Sequence, residues 1–298
     1  MKTLISIIIP TYKTNKSLKV AIDSVLNQTY SNIEVVVVDD NNPKSEYRKI
    51  AEEIMKDYKS SKNVYYIKHS INKNGSAARN TGVRKSHGNI IGFLDDDDYY
   101  YNCKVEKQYN FMHQNNLDMC VCYYNRGGKN ITFEVKEDYS YNIFMMHKTP
   151  QTSSFLLKKD CFNKINGFDE TYIRHQDYEF LLRFEEKFKI GCIPEQLYEM
   201  TNNGVNNIPA PELMEKIKNK LLNQFDYIIL EKKYNKKIIR AKNFAYISFL
   251  YLKKKEYNNF FRTLKNEINL YYMYYLIKRN IVGIFNVISK KRGKKWIQ

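Results

Sequence analysis

The sequence predicts an α/β fold: a mostly parallel sheet with helices on both faces, followed by a basic helical region. Three observations carry this. Short apolar runs alternate with amphipathic stretches through roughly the first hundred residues. Two of the runs, residues 35–38 and 90–94, hold only apolar residues and glycine, as strands buried on both faces do. Each run ends in acids, Asp39 and Asp40 in one case and Asp95, Asp96, Asp97 and Asp98 in the other, and an α/β sheet binds its ligands at the carboxyl ends of its strands.

Residues 4–10 read as the first strand. Residues 17–27 follow as a helix, with Leu18, Ala21, Ile22, Val25 and Leu26 on one side. Residues 33–39 form the second strand, and Ser45 opens a helix running to residue 58. Residues 64–67 are a third strand. Residues 75–86 form a helix that packs through Ala77, Ala78 and Val83, and residues 90–95 are the fourth strand. Repeated strand–helix units this short imply parallel pairing with crossovers on both faces. Beyond them, residues 104–114 read as helix, 119–124 and 152–157 as strands. Residues 177–188 read as a helix with a Phe180, Leu181, Phe184, Phe188 stripe. There is no internal repeat and no low-complexity linker.

A chain of 298 residues with 43% hydrophobic content supports one large domain, or one domain with a helical appendage. No apolar stretch reaches the roughly 18–20 residues of a membrane span. Lys2 is the one basic residue before the apolar residues 4–10, which are too short for a leader, so a signal peptide is not expected and a cytoplasmic location is. The five cysteines (Cys103, Cys120, Cys122, Cys161, Cys192) form no C-x-x-C pair and read as reduced thiols. Charge is uneven. Residues 212–298 hold 21 Lys and Arg against 6 Asp and Glu, whereas residues 1–211 hold 28 against 26. A nearly neutral body, 1–211, is therefore expected to carry a basic helical region, 212–298.

Four carboxylates at one strand end repel each other unless a cation compensates them. Hard oxygen donors of this kind suit Mg²⁺ or Mn²⁺, held by one or two carboxylates and by substrate phosphates. The alternative is a solvated acidic turn, which would not need a strand apolar on both faces before it. Asp39 and Asp40 fit a nucleotide base or ribose contact and equally a helix cap with its turn. Neither G-x-x-x-x-G-K-[ST] nor G-x-G-x-x-G occurs, so phosphates would be held by metal and side chains rather than by a glycine loop.

These segments resemble the GT-A glycosyltransferases, specifically the family-two inverting enzymes, over residues 3–200. The likeness rests on I-S-I-I-I-P-T-Y-K at 5–13, S-V-L-N-Q-T-Y at 24–30, V-V-V-V-D-D-N-N at 35–42 and G-S-A-A-R-N-T-G at 75–82. It continues through G-N-I-I-G-F-L-D-D-D-D at 88–98, I-N-G-F-D-E at 165–170 and H-Q-D-Y-E-F-L-L-R-F at 175–184. The resemblance implies a Rossmann-like GT-A fold, a nucleotide-sugar donor (a UDP-sugar) and a divalent cation. It assigns Pro10, Thr11 and Tyr12 to the base and ribose wall, Asp40 to the uracil ring with Asp39 in support, and Arg79 to the nucleotide's surroundings. The D-x-D motif maps to Asp95, Asp96 and Asp97, with Asp97 as direct metal ligand, Asp96 at the ribose and Asp98 positioning the others. Asp177 matches the general base, taking the proton of an acceptor hydroxyl that attacks the anomeric carbon. At a helix start the dipole would favour its ionised form, so its neighbours must restore its basicity. Ser154, Gly167, Phe168, His175 and Gln176 fall on the sugar and acceptor wall. One departure is plain: residues 198–206 contain no histidine, so no histidine metal ligand comes from there. The Asn-rich stretch within 202–206 is expected to close over donor or acceptor.

In the basic region, residues 213–230, 238–252 and 257–288 have helical spacing, with aromatics interleaved among Lys and Arg, and 289–296 is a basic run ending in Trp296. Such a surface suits the anionic inner leaflet, and hence a lipid-linked glycan acceptor in capsule, lipopolysaccharide or teichoic acid synthesis. Nucleic acid would feel the same charge, but no nucleic-acid-binding fold is present. The plainer reading is a helical cap with a solvated basic face. Two competing functions remain: a nucleotidyltransferase that makes nucleotide sugars, and a catalytically inactive scaffold at the membrane surface.

Overall fold

The computed structural model describes residues 2–134, 138–201 and 210–279. Two compact units emerge: Met1–Tyr139 with Lys148–Val205, and Ser140–His147 with Asn206–Gln298. The second unit thus includes a short segment taken from inside the stretch 1–211.

The first unit opens with β1 (Ile5–Thr11), α1 (Ser17–Leu26), β2 (Ile33–Asp39), α2 (Glu46–Lys56), β3 (Val64–Lys68), α3 (Gly75–Lys85) and β4 (Ile90–Phe93). These strands pair in parallel in the order β3-β2-β1-β4, with Ile8 opposite both Val36 and Phe93 and Thr11 opposite Asp39. The period-two pattern explains both faces. Ile5, Ile7, Ile9, Val35 and Val37 join Leu18, Ala21, Ile22 and Val25 of α1 in one core cluster. Val36 and Val38 turn the other way, onto Ala78 of α3. Gly82 lets α3 come close, because a Cβ there would lie 2.4 Å from Ile8 Cγ2; overpacking of that kind costs about 1–3 kcal/mol.

The chain continues through β5 (Tyr99–Tyr100), α4 (Lys104–Gln114), β6 (Met119–Arg126), β7 (Lys129–Ile131) and α5 (Tyr139–Phe144), most of which belongs to the second unit. Then come β8 (Leu156–Lys158), α6 (Lys159–Lys164), α7 (Gln176–Glu185) and β9 (Ile190–Met200). The sheet extends as β4-β8-β6-β9-β5, with β7 on β6. Here only β6 and β9 pair in parallel. The strand expected at 152–157 starts later than that: Thr152–Ser154 is a 3-10 turn, and β8 follows it. The Ser154 hydroxyl donates to Gln151 O at 2.6 Å, a local bond that competes with the ladder. The five cysteines are free thiols.

In the second unit, α8 (Pro211–Gln224) and α9 (Asp226–Glu231) break at Phe225, and α10 (Lys236–Lys254) and α11 (Tyr257–Glu267) follow. Residues 270–279 form a further helix, α12. The expected single helix over 257–288 is interrupted because Asn269 caps α12, its Oδ1 accepting from Tyr272 N at 3.0 Å. Its expected continuation over 280–288 lies outside the described residues, as do the Asn-rich stretch at 202–206 and the basic run at 289–296. Leu221, Phe225, Ile229, Phe244, Ile247 and Tyr251 are among the buried side chains of this unit. Among the described residues no helix is long and apolar enough to cross a membrane.

Candidate active site

The carboxyl ends of β1, β2 and β4 form one edge of the sheet, and the acids predicted from the sequence gather along it. At the end of β2, Asp39 is fully buried. Its Oδ2 lies 3.0 Å from Arg48 Nε and accepts the Tyr66 hydroxyl at 2.5 Å, while its Oδ1 accepts both nitrogens of Asn41 at 2.9 and 2.8 Å. Asp39 therefore ties α2 and β3 to the strand end.

Asp40 is equally committed. Oδ1 accepts His69 Nδ1 at 2.8 Å and Lys73 N at 2.8 Å; Oδ2 accepts Asn72 Nδ2 at 2.9 Å and Asn74 N at 2.9 Å. A carboxylate offers about four acceptor positions, and the chain itself occupies all of them. A carboxylate only accepts, so the ring proton of His69 sits on Nδ1, facing Asp40, while Nε2 lies 3.0 Å from Thr81 Oγ1. Asp40 thus orders the loop that enters α3. A hydrogen bond from a base would have to displace one of these donors.

That loop sets up the first turn of α3. Asn74, at φ +91°, caps it by accepting from Ser76 N at 2.9 Å and Ala77 N at 3.1 Å. A Cβ on Gly75 would lie 3.0 Å from Arg79 Nη1 and 3.8 Å from Gln176 Nε2, so α3 and α7 begin side by side. Arg79 forms an ion pair with Asp95 and packs its guanidinium over the Phe168 ring at 5.7 Å.

The acid run after β4 is crowded. Asp96 accepts from the Thr11 hydroxyl and the Tyr12 amide, yet burial, reinforced by Asp97 and Asp95, pushes its carboxyl up to about 7. Asp98 is buried; it accepts Ser153 Oγ at 2.8 Å and Thr201 N at 3.1 Å, and burial with the charges of Asp95 and Asp97 holds its pKa well above the carboxylate range. The Asp97 carbonyl accepts the Thr201 hydroxyl, and its side chain is partly exposed. Pro10 is partly buried and Tyr12 is exposed beside this run.

Asp177 lies in the first turn of α7. Burial raises its carboxyl to about 6, against the opposing pull of the Tyr178 and Asp177 amides and of Arg79, while Asp95 adds to the rise. The helix start does favour the anion, but desolvation outweighs it. Arg79 and Asp95 are felt by Asp177, so the base candidate and the acid run share one electrostatic neighbourhood.

The wall residues divide. Gln176 stands beside Gly75, and His175, in a left-handed conformation at φ +60°, stacks on Tyr178 at 4.7 Å. Ser154 is fully buried, its carbonyl accepting Gln108 Nε2 at 2.8 Å, and Phe168 is buried against Phe180 at 4.5 Å. Gly167 has φ +66°, and a Cβ there would sit 2.6 Å from Asn80 Oδ1. These three support the site from behind rather than line it. Sequence reasoning missed Ser153, Thr201, His69 and Asn80. Asn80 pins the turn before α7, donating to Phe168 O at 2.8 Å and Glu170 Oε1 at 2.9 Å and accepting Phe168 N at 2.9 Å. Only the flagged stretches around Ser153 and Asn80 hinted at them.

Among the described residues no three His, Cys, Asp or Glu side chains converge as a metal cage. Asp95 pairs with Arg79, Asp96 accepts from Thr11 and Asp98 from Ser153, and the partly exposed Asp97 lies in the same run of carboxylates. One or two carboxylates completed by phosphate and water is how Mg²⁺ is usually bound, and raised pKa values nearby are what an added dication would relieve. The donor set fits.

Residues 6–175 match the model of Glycosyl transferase family 2. The chain is 29% identical over 233 residues to the uncharacterized glycosyltransferase EpsJ of Bacillus subtilis, covering 72% of this chain and 66% of that one. Against an uncharacterized glycosyltransferase of Rickettsia bellii it is 30% identical over 207 residues, 68% of this chain but only 29% of the relative. It is also 28% identical over 206 residues to the amylovoran biosynthesis glycosyltransferase AmsB of Erwinia amylovora, covering 64% and 67% of the two chains. Among solved structures, S. aureus TarS 1-349 in complex with UDP-GlcNAc aligns at TM-score 0.61 and 16% identity, covering 99% of this chain and 93% of that one. At that identity the likeness is one of fold, the GT-A fold. The family match takes in the ends of β1, β2 and β4 and stops just short of Asp177; on it, this chain belongs to glycosyl transferase family 2.

Proposed function

We propose that the protein is a metal-dependent inverting glycosyltransferase that moves a sugar from a nucleoside-diphosphate donor, a UDP-sugar, to a glycan acceptor. The observation that carries this reading is the shared neighbourhood of Asp177, Arg79 and Asp95. It sets a partly buried, weakly acidic carboxyl beside an acid run suited to a cation and a diphosphate. The name of the AmsB relative supports an acceptor of the surface-polysaccharide class. That acceptor is lipid-linked at the inner face of the cell membrane, and the enzyme meets its donor in the cytoplasm.

In this mechanism Thr11 and Tyr12 border the base and ribose, and Asp96 contacts the ribose. Asp97 would hold Mg²⁺ or Mn²⁺, which when bound neutralises charge on the departing diphosphate. Arg79 adds a fixed cation beside it. The acceptor hydroxyl attacks the anomeric carbon as the carbon–oxygen bond to the diphosphate breaks, and its proton passes to the Asp177 carboxylate. A carboxyl with a pKa of about 6 is a stronger base than a solvated aspartate and is still largely ionised near neutral pH. Asp40 acts one layer back, by fixing the loop that aims α3.

Incubation of the pure protein with a panel of nucleotide sugars, Mn²⁺ and water tests the reading. Slow, cation-dependent release of nucleoside diphosphate supports it. Pyrophosphate exchange would replace it with a nucleotidyltransferase, and no turnover with any donor would leave an inactive scaffold.

A further inference from the structure

Helix α12 carries two apolar stripes. Its inner stripe is Tyr272 and Leu276, both buried, with the Tyr272 hydroxyl hydrogen-bonded to Ser248 of α10. The outer stripe is Leu270, Met273, Tyr274 and Ile277, spaced i, i+3, i+4, i+7 on one face. All four are exposed, Leu270 at 89% and Ile277 at 52%. A surface helix of a globular unit normally has one such stripe and a polar opposite face. Lys278 borders the outer stripe, its ammonium 5.6 Å from the centre of the Tyr274 ring.

We propose that the outer face of α12 docks on an anionic phospholipid bilayer, with the helix axis in the plane of the headgroups. Leu270, Met273 and Ile277 enter the acyl boundary, while Tyr274 and Lys278 stay at headgroup level with their polar ends in water. Its inner stripe packs within the protein, so α12 offers the bilayer one apolar face and lies on it. Charge selects this occupant over a second copy of the chain. Residues 212–298 hold 21 Lys and Arg against 6 Asp and Glu. A two-fold contact through α12 would set that excess against itself, whereas anionic headgroups complement it. The docking face lies upstream of the basic run at 289–296 and does not depend on the transferase reading.

Co-sedimentation of the full chain with phosphatidylglycerol–phosphatidylcholine vesicles, and with pure phosphatidylcholine vesicles, tests it. The intact protein binds the anionic vesicles and is released by high salt. A Leu270→Glu, Ile277→Glu double variant, checked for an unchanged circular dichroism spectrum and melting point, binds at least tenfold more weakly; Lys278→Glu binds a few-fold more weakly. Undiminished binding by the double variant, or equal binding to neutral vesicles, overturns the proposal. So does a dimer of the intact protein in sedimentation velocity that the double variant abolishes, which would make the face a contact between copies. Vesicle binding that appears only once residues 280–298 are removed would show that the chain covers its own face, and would overturn it as well.

Discussion

The ends of β2 and β4 each present consecutive aspartates, and they meet that crowding in opposite ways. At β2, Arg48, Tyr66, Asn41, His69 and the loop amides surround Asp39 and Asp40 with donors, so both carboxylates are satisfied within the fold. At β4, Asp96 and Asp98 keep fewer donors, and burial, reinforced by their neighbours' charge, raises their carboxyls. Two unit charges ~4 Å apart near a protein surface interact by about 4 kcal/mol, a repulsion that an added cation would relieve. The pairs look alike in sequence. One is saturated by donors of its own chain, and the other holds carboxyls raised by burial and like charge.

Four substitutions break or sharpen that contrast. Asp97→Asn should have the largest effect: a loss of transfer on the order of 10³-fold, since a cation's charge stabilisation is worth several kcal/mol. Its melting point without cation should hold, and the rise that Mn²⁺ with UDP produces in the native protein should vanish. Persistence of that rise would move the cation elsewhere. Asp177→Asn should keep donor binding and lose about 10²-fold or more in rate. In the native enzyme the base must be ionised, so kcat/KM should fall about tenfold per pH unit below about 6, the pKa set by burial, and the variant should lack that limb. A slope unchanged in Asp177→Asn would sink the assignment.

Asp39→Asn should strike stability instead. It leaves the buried Arg48 guanidinium without its counter-charge, at a cost of about 3–5 kcal/mol, read by urea denaturation with cation absent. Tyr66→Phe removes one donor from the same carboxylate and should cost about 1–2 kcal/mol, with kcat near native. If Tyr66→Phe reduced rate more than stability, the β2 end would belong to the chemistry and the contrast would fail.

What could be read from residues alone follows from how local the cause is. The first four strands and three helices were legible because apolar runs and their helical partners are each complete within a few residues, as at 35–38 and at Leu18, Ala21, Ile22 and Val25. β9 was not foreseen: Pro194, Glu195 and Gln196 interrupt its alternation, and its ladder with β6 shifts register after Cys122. The turn at Thr152–Ser154 was misread because the Ser154 amide and hydroxyl both bond the Gln151 carbonyl instead of a ladder partner. At the site, the acids announced themselves, but the saturation of Asp40 depends on donors from His69 to Asn74, and Ser153 reaches Asp98 across the fold. Burial of Ser154 and Phe168 is likewise a tertiary fact. No spacing rule encodes it.

Arg79 and Asn80 are neighbours on α3, about 100° apart around its axis. The first grips Asp95, and the second grips the turn at Phe168 and Glu170 that leads toward Asp177. A roll of α3 that eased the arginine away from the acid run would drag on that turn at the same moment. The helix acts as a gear between the acid run after β4 and the turn before α7, and neither can be retuned by itself.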